Sequence, residues 1–233
     1  MERCLLSVDW DYFIDTHNKN LGSRLENNKN IINLWYKRYF QLNESGKNIQ
    51  NLFQLSPDVN NFWSEIKNHF EFTKDVQVYV SDSHALSYDI AEKNRSNMVY
   101  LFDAHSDLGY GGLSSLNFEV NCANWLGKLL KNKVINEADI IYSPYTTEKP
   151  EYFKQICRSL NARFIALNDL DKREAISAVH ICRSGAWTPP WFDEQFFNFI
   201  KDLGILYKII DCPRRKWDTK HLSFSDRIFY SIA

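Results

Sequence analysis

The chain has 233 residues, 44% hydrophobic and 24% charged, a length and balance that suit one substantial globular domain and exclude a low-complexity chain. Its 28 Lys and Arg against 29 Asp and Glu leave a formal charge of −1, which gives no electrostatic reason to expect nucleic acid or an anionic membrane as partner. Five scattered cysteines (Cys4, Cys122, Cys157, Cys182 and Cys212), never in CxxC spacing, argue against a disulfide framework or zinc knuckle and predict a reducing, cytoplasmic setting.

At the N-terminus, MERCLLSVDWDYF carries an apolar run, Cys4–Val8, that acidic residues close at once. With no small-residue cleavage site it reads as a first strand, not a signal peptide. Helical spacing follows over Asn28–Phe40 and Val59–Phe70, then a strand at Val76–Val80, a helix over Ala85–Lys93 and a strand at Met98–Phe102. Further on come a helix over Asn121–Leu130, a strand at Ala138–Tyr142 and a helix over Pro150–Leu160. Strands at Arg163–Leu167 and Ala178–Cys182, a helix over Asp193–Leu203 and a short strand at Tyr207–Ile210 complete the series. The strands are rich in β-branched and large apolar residues, as strands buried on both faces should be. The alternation predicts an α/β three-layer sandwich with a mostly parallel central sheet, and with no repeat or linker it predicts one domain over 1–233. The generous aromatic share, seven Trp and sixteen Phe, is assigned mostly to packing.

In such a sheet ligands bind beyond the carboxyl ends of the strands. Asp9-Trp10-Asp11 follows the first strand, Ser81-Asp82-Ser83-His84 the second and Asp103-Ala104-His105-Ser106-Asp107 the third. Alternate residues leaving a strand project to one side, so Asp103, His105 and Asp107 can converge. A polar loop with a helix-capping Asp is the other reading of that segment. Two carboxylates pointing the same way, as in Asp9 and Asp11, repel unless a cation lies between them. Together the three rims offer four carboxylates and two imidazoles without a thiolate, a set that favours hard or borderline divalent ions such as Mn²⁺. Four carboxylates exceed the need of one ion, so two per chain are expected, with a bridging water acidified for hydrolysis.

DAHSD, the strand-end DxD and a His in SDSHALS resemble the metal motifs of the ureohydrolase superfamily, which includes arginase and agmatinase. The resemblance implies an arginase/deacetylase-like fold, a binuclear Mn²⁺ centre and hydrolysis of guanidinium groups with release of urea. It makes Asp103 and Asp9 bridging ligands, gives His84 and Asp107 to one ion and His105 and Asp11 to the other, and makes Asp107 and Asp103 the catalytic residues, Asp107 orienting or deprotonating the bridging hydroxide. The motif order is permuted: typical arginases place DxD after DAHxD, whereas here VDWDYF comes first and CRSGAWTPPWFD late. That arrangement is similar to the branch containing peptide arginases, which convert arginine to ornithine in ribosomal precursor peptides. An arginine-containing precursor peptide is therefore the expected partner. The similarity runs from about Leu5 to Phe197 through short motifs only.

Two departures limit the carry-over. Arginases carry a proton-shuttling His beyond DAHxD, but none lies between Asp107 and His180; Asn121, Cys122 and Asn124 occupy that stretch, with His17 and His221 as remote candidates. A guanidinium-binding carboxylate is expected among Asp15, Glu119, Asp193 and Glu194, each of which is equally readable as a cap or surface charge. After the sixth strand, Arg183, Ser184 and Trp187 should border the site, and with Asp15, Asn121, Asn124 and Asp193 they form the substrate-contact candidates. Small-molecule ureohydrolysis or amidohydrolysis, two-metal phosphoester hydrolysis and a non-catalytic metal-dependent binding protein remain alternative readings.

Overall fold

The computed structural model describes residues 3–16, 31–170 and 174–232. The first strand, β1 (Cys4–Asp9), is buried at every position, as a strand with neighbours on both edges and helices on both faces must be. It pairs in parallel with β5 (Met98–Asp103) on one edge and β8 (Glu174–Cys182) on the other. Outside β5 lie β6 (Glu137–Tyr142) and β7 (Ala162–Phe164); outside β8 lie β4 (Phe70–Ser81) and β9 (Tyr207–Asp211). The seven strands run β7-β6-β5-β1-β8-β4-β9, and every pairing is parallel.

Period-two alternation divides the core between the two faces. Cys4, Leu6 and Val8 of β1 join one cluster with Trp35 of α1 (Ile31–Glu44), Phe62, Trp63 and Ile66 of α2 (Phe62–His69), and Phe196 and Phe199 of α6 (Asp193–Asp202). Leu5 faces the other way, into a cluster with Ile90 of α3 (Leu86–Lys93), Trp125 and Leu129 of α4 (Trp125–Lys131), and Ile156 of α5 (Lys154–Ser159). The protein is thus an α/β sandwich with a parallel sheet between helical layers, as its alternating pattern predicts.

Several elements differ from expectation. β4 is twelve residues long, and a register shift against β8 between Phe72 and Gln77 masks its alternation. Its start takes Phe70 from the expected helix end. The expected helix at Pro150 opens as a 3-10 turn, Pro150–Phe153. A small antiparallel pair, β2 (Ile14–Thr16) with β3 (Phe53–Leu55), and a terminal helix, α7 (Phe224–Ile232), were not expected. Residues 28–30 of the first predicted helix fall outside the described residues. No helix among the described residues is long and apolar enough to cross a membrane.

Candidate metal centre

The carboxyl ends of the five inner strands carry the site. Asp9 ends β1, and Asp11 sits in the 3-10 turn that follows, Trp10–Phe13. Trp10 anchors that turn: its ring is fully buried, with its centroid 5.4 Å from those of Phe196 and Phe199. The Asp11 amide donates to Asp9 Oδ1 at 3.0 Å, so the two carboxylates are set by one local turn. Asp103 ends β5, and its Oδ1 accepts the His105 amide at 2.7 Å. Asp107 follows at φ 52°, a left-handed conformation that Asp tolerates better than most residues. Its Oδ2 accepts Trp125 Nε1–H at 2.5 Å, which ties it to α4.

These segments meet around two foci. His84 Nδ1 lies 3.1 Å from Asp9 Oδ2, 3.0 Å from Asp103 Oδ2 and 3.0 Å from Asp107 Oδ2. His105 Nδ1 lies 3.0 Å from Asp11 Oδ2 and 3.5 Å from Asp103 Oδ1. Asp9, His84 and Asp103 bring ligand atoms within 4.8 Å of one another, as do Asp11, Asp103 and His105. Asp103 is common to both groups. The resemblance gives that bridging place to Asp9 as well, whereas here Asp9 groups with His84 and Asp103 alone.

The charges do not balance internally. Burial, helped by Asp11, pushes the Asp9 carboxyl above its ordinary value; burial with Asp11, Asp107 and Asp9 pushes Asp103 well above. For Asp11 burial also pulls upward, but the His105 charge and its hydrogen bonds bring the net value below the ordinary one. Burial alone would lower both histidines, yet the carboxylates of Asp103, Asp107 and Asp9 crowded against His84, and the charge of Asp11 beside His105, hold both well above 6.5. His84 Nδ1 and Asp103 Oδ2 are buried and lie 3.0 Å apart, yet neither makes an aligned hydrogen bond among the described residues. Buried polar atoms are normally paired, so facing orphans of this kind fit a divalent cation between them. Oxygen and imidazole donors without thiolate suit a hard or borderline divalent ion.

A cavity of about 730 Å³ opens over the six residues, completed by Tyr110, Cys122, Ala123, Thr147, Glu148, Ser184 and Trp187. Five carboxylates face it, and no Lys or Arg is among its described lining residues. Ser184, at φ 48°, donates its hydroxyl to Asp9 Oδ2. Trp187 forms a wall, its ring 6.4 Å from that of His105.

Other candidate residues lie elsewhere. Arg183 is fully buried: Nε and Nη2 hold Asp82 at 2.8 and 2.9 Å, and Nη1 holds Asp193 at 3.0 Å. Asp193 is also held by Arg215, so this pair braces the loop after β8 and does not line the cavity. The brace needs Gly185, because a Cβ there would sit 2.6 Å from Asp82 Oδ1. Asn121 and Asn124 close the turn into α4: the Asn124 side chain accepts the Asn121 amide at 2.9 Å, and that of Asn121 accepts the Ala123 amide at 3.0 Å. They thereby present Cys122 and Ala123, not themselves, to the cavity. Asp15 lies in β2, and Glu119 and Glu194 likewise stand outside the lining. His221 is exposed and paired with Asp218, and His17 lies outside the described residues.

Glu148 is the functional candidate that sequence reasoning missed. It sits six residues beyond β6, and its Oε2 accepts the Ser106 amide and the Tyr142 hydroxyl, each at 3.0 Å, while Tyr110 donates to Oε1. Burial and the Glu148 charge push both tyrosine hydroxyls upward, so they stay protonated donors. The rule that ligands gather at strand ends could have pointed to this loop, but no short motif marks SPYTTEKP. Comparison of the chain with protein-family models, curated proteins and solved structures gave no match.

Proposed function

We propose that the chain is a binuclear, Mn²⁺-dependent hydrolase of the ureohydrolase type that converts peptidyl arginine and water to peptidyl ornithine and urea. The observation that carries this reading is the orphaned His84–Asp103 pair at the centre of six convergent ligand types, under a cavity of carboxylates. Asp9, His84, Asp103 and Asp107 would hold one ion, and Asp11, Asp103 and His105 the other. Two such ions supply a water acidic enough to act as hydroxide near neutral pH. Asp107, fixed by Trp125, would orient that water and accept its proton. Glu148, braced by two tyrosines, pairs with the guanidinium and sets its carbon over the cluster. Trp187 and Tyr110 flank the arm of the side chain.

The same lining supports peptidyl arginine over free arginine, because no described lining residue offers a cation for a free α-carboxylate. It disfavours phosphoesters for the same reason. A cytoplasmic setting is part of the proposal, supported by the scattered cysteines.

The test is urea release by Mn²⁺-loaded protein from an arginine peptide, agmatine and free arginine, with metal content measured by mass spectrometry. The peptide should be the best substrate, and Asp103→Ala should reduce turnover to background. Turnover of agmatine or free arginine alone would overturn the peptide assignment, and a protein that binds no divalent cation would overturn the enzyme.

A further inference from the structure

Behind the metal centre runs a line of buried polar groups that contribute no ligand. His84 Nε2 lies 2.8 Å from Ser7 Oγ, Ser7 Oγ 3.0 Å from Ser87 Oγ, and Ser87 Oγ 2.5 Å from His180 Nδ1. His180 Nε2 then lies 2.8 Å from Ser81 Oγ, which is 2.8 Å from the Ser83 carbonyl. Ser7, Ser81, Ser87 and His180 are all fully buried. The four come from β1, β4, α3 and β8, so the line crosses the sheet beneath the site.

Its direction follows from its far end. A carbonyl only accepts, so Ser81 spends its single proton on Ser83. Ser81 Oγ must then accept from His180 Nε2, which therefore carries hydrogen. A second proton on His180 would place a full charge in a fully buried site where both ring nitrogens meet only serine hydroxyls and neither is bonded to a carboxylate, so the ring is neutral. Nδ1 of His180 thus accepts from Ser87, Ser87 accepts from Ser7, and Ser7 accepts from His84 Nε2. Every hydroxyl has one donor role and one acceptor role, and none is left over.

We propose that Ser7, Ser87, His180 and Ser81 form a one-way hydrogen-bond chain that commits His84 Nε2 as a donor, so that Nδ1, which faces Asp9, Asp103 and Asp107, is the nitrogen that offers its lone pair to an arriving cation. They are positioning residues: a ligand histidine whose other nitrogen is already committed need not choose a tautomer or a ring orientation when a cation arrives. The chain ends on a carbonyl with no solvent-facing member, so it holds a ring and does not carry protons out. Its use rests on the metal reading above, but its direction does not.

Two-bond proton–nitrogen spectra of the full chain with ¹⁵N-labelled histidine give the test, metal-free and with Zn²⁺ as a diamagnetic probe. His180 should show hydrogen on Nε2 alone in both samples, and His84 hydrogen on Nε2 alone with Zn²⁺. Hydrogen on His180 Nδ1 in either sample would overturn the chain even if Zn²⁺ binds, and the metal reading would survive. The expected His180 tautomer in a protein that takes up no cation would uphold the chain's direction and sink the metal reading instead. In Ser87→Ala, Mn²⁺ affinity should fall about 10-fold or more; unchanged affinity in a folded variant would remove the positioning role.

Discussion

Two acidic clusters stand side by side on the same rim, and they differ in how their charge is met. Asp82 and Asp193 are held by Arg183 and Arg215, two carboxylates against two guanidinium groups, with Asp82 gripped at two points. Asp9, Asp11, Asp103 and Asp107 have two imidazoles as their only nearby cationic groups among the described residues, and His84 Nδ1 and Asp103 Oδ2 make no aligned hydrogen bond. The chain can place arginines beside buried carboxylates and does so a few residues away. That no arginine stands among the described residues lining the cavity is what supports the proposal that a cation from outside completes it.

The strongest way to break this contrast is Arg183→Met. It leaves Asp82 buried and uncompensated, so unfolding free energy should fall by about 3–5 kcal/mol in denaturant titrations. A loss below 1 kcal/mol would show that the brace is not what holds the loop after β8.

Glu148 sharpens the contrast differently, as a carboxylate whose hydrogen bonds come from a backbone amide and two tyrosine hydroxyls. Glu148→Gln should raise KM for the arginine peptide about 10-fold, the scale of one charge-assisted hydrogen bond, with little change in kcat. An unchanged KM would assign the guanidinium to another group.

Asp103→Asn removes a like charge from the open cluster. Metal-free, the variant should melt about 2–4 °C above the parent, the shift that roughly 1 kcal/mol gives in a chain of this size. It should also gain less from Mn²⁺, whereas equal gains would mean that Asp103 is no ligand.

The smallest effect is in pH. His84 and His105 are held above 6.5 in the folded chain, so their contribution is complete below 6.5 and lost as pH rises through their folded values. The raised Asp9 and Asp103 act in the same sense, their contribution being complete below 3.8 and lost on the way up. Metal-free protein should therefore melt progressively lower above about pH 6.5, while Mn²⁺, which needs deprotonated ligands, gives a widening stabilisation over the same range. Parallel melting curves with and without Mn²⁺ would contradict the open-cluster account.

The sheet and the six ligand candidates were legible because each motif follows an apolar run directly, and the parallel sheet then places all of those run ends on one rim. Glu148 was not, since its loop carries no periodicity and its place depends on hydroxyls from Tyr110 and Tyr142. Arg183 and Asp193 were readable as charged residues near the site, but their mutual pairing is a tertiary fact. Ser7 and Ser87 look like ordinary small residues in buried elements, and only distances reveal their use. The β2–β3 pair escaped because three-residue strands give no alternation to read.

The position of β1 has a consequence for how the protein is made. β1 is the centre of the sheet and leaves the ribosome before the strands that cover its edges, β5 and β8, which begin at Met98 and Glu174. At ordinary translation speeds of 5–20 residues per second, this apolar segment waits roughly 10–30 s for its second neighbour. Slow, cool expression with holding chaperones should therefore raise the yield of folded chain more than it would for a protein whose sheet grows outward in order.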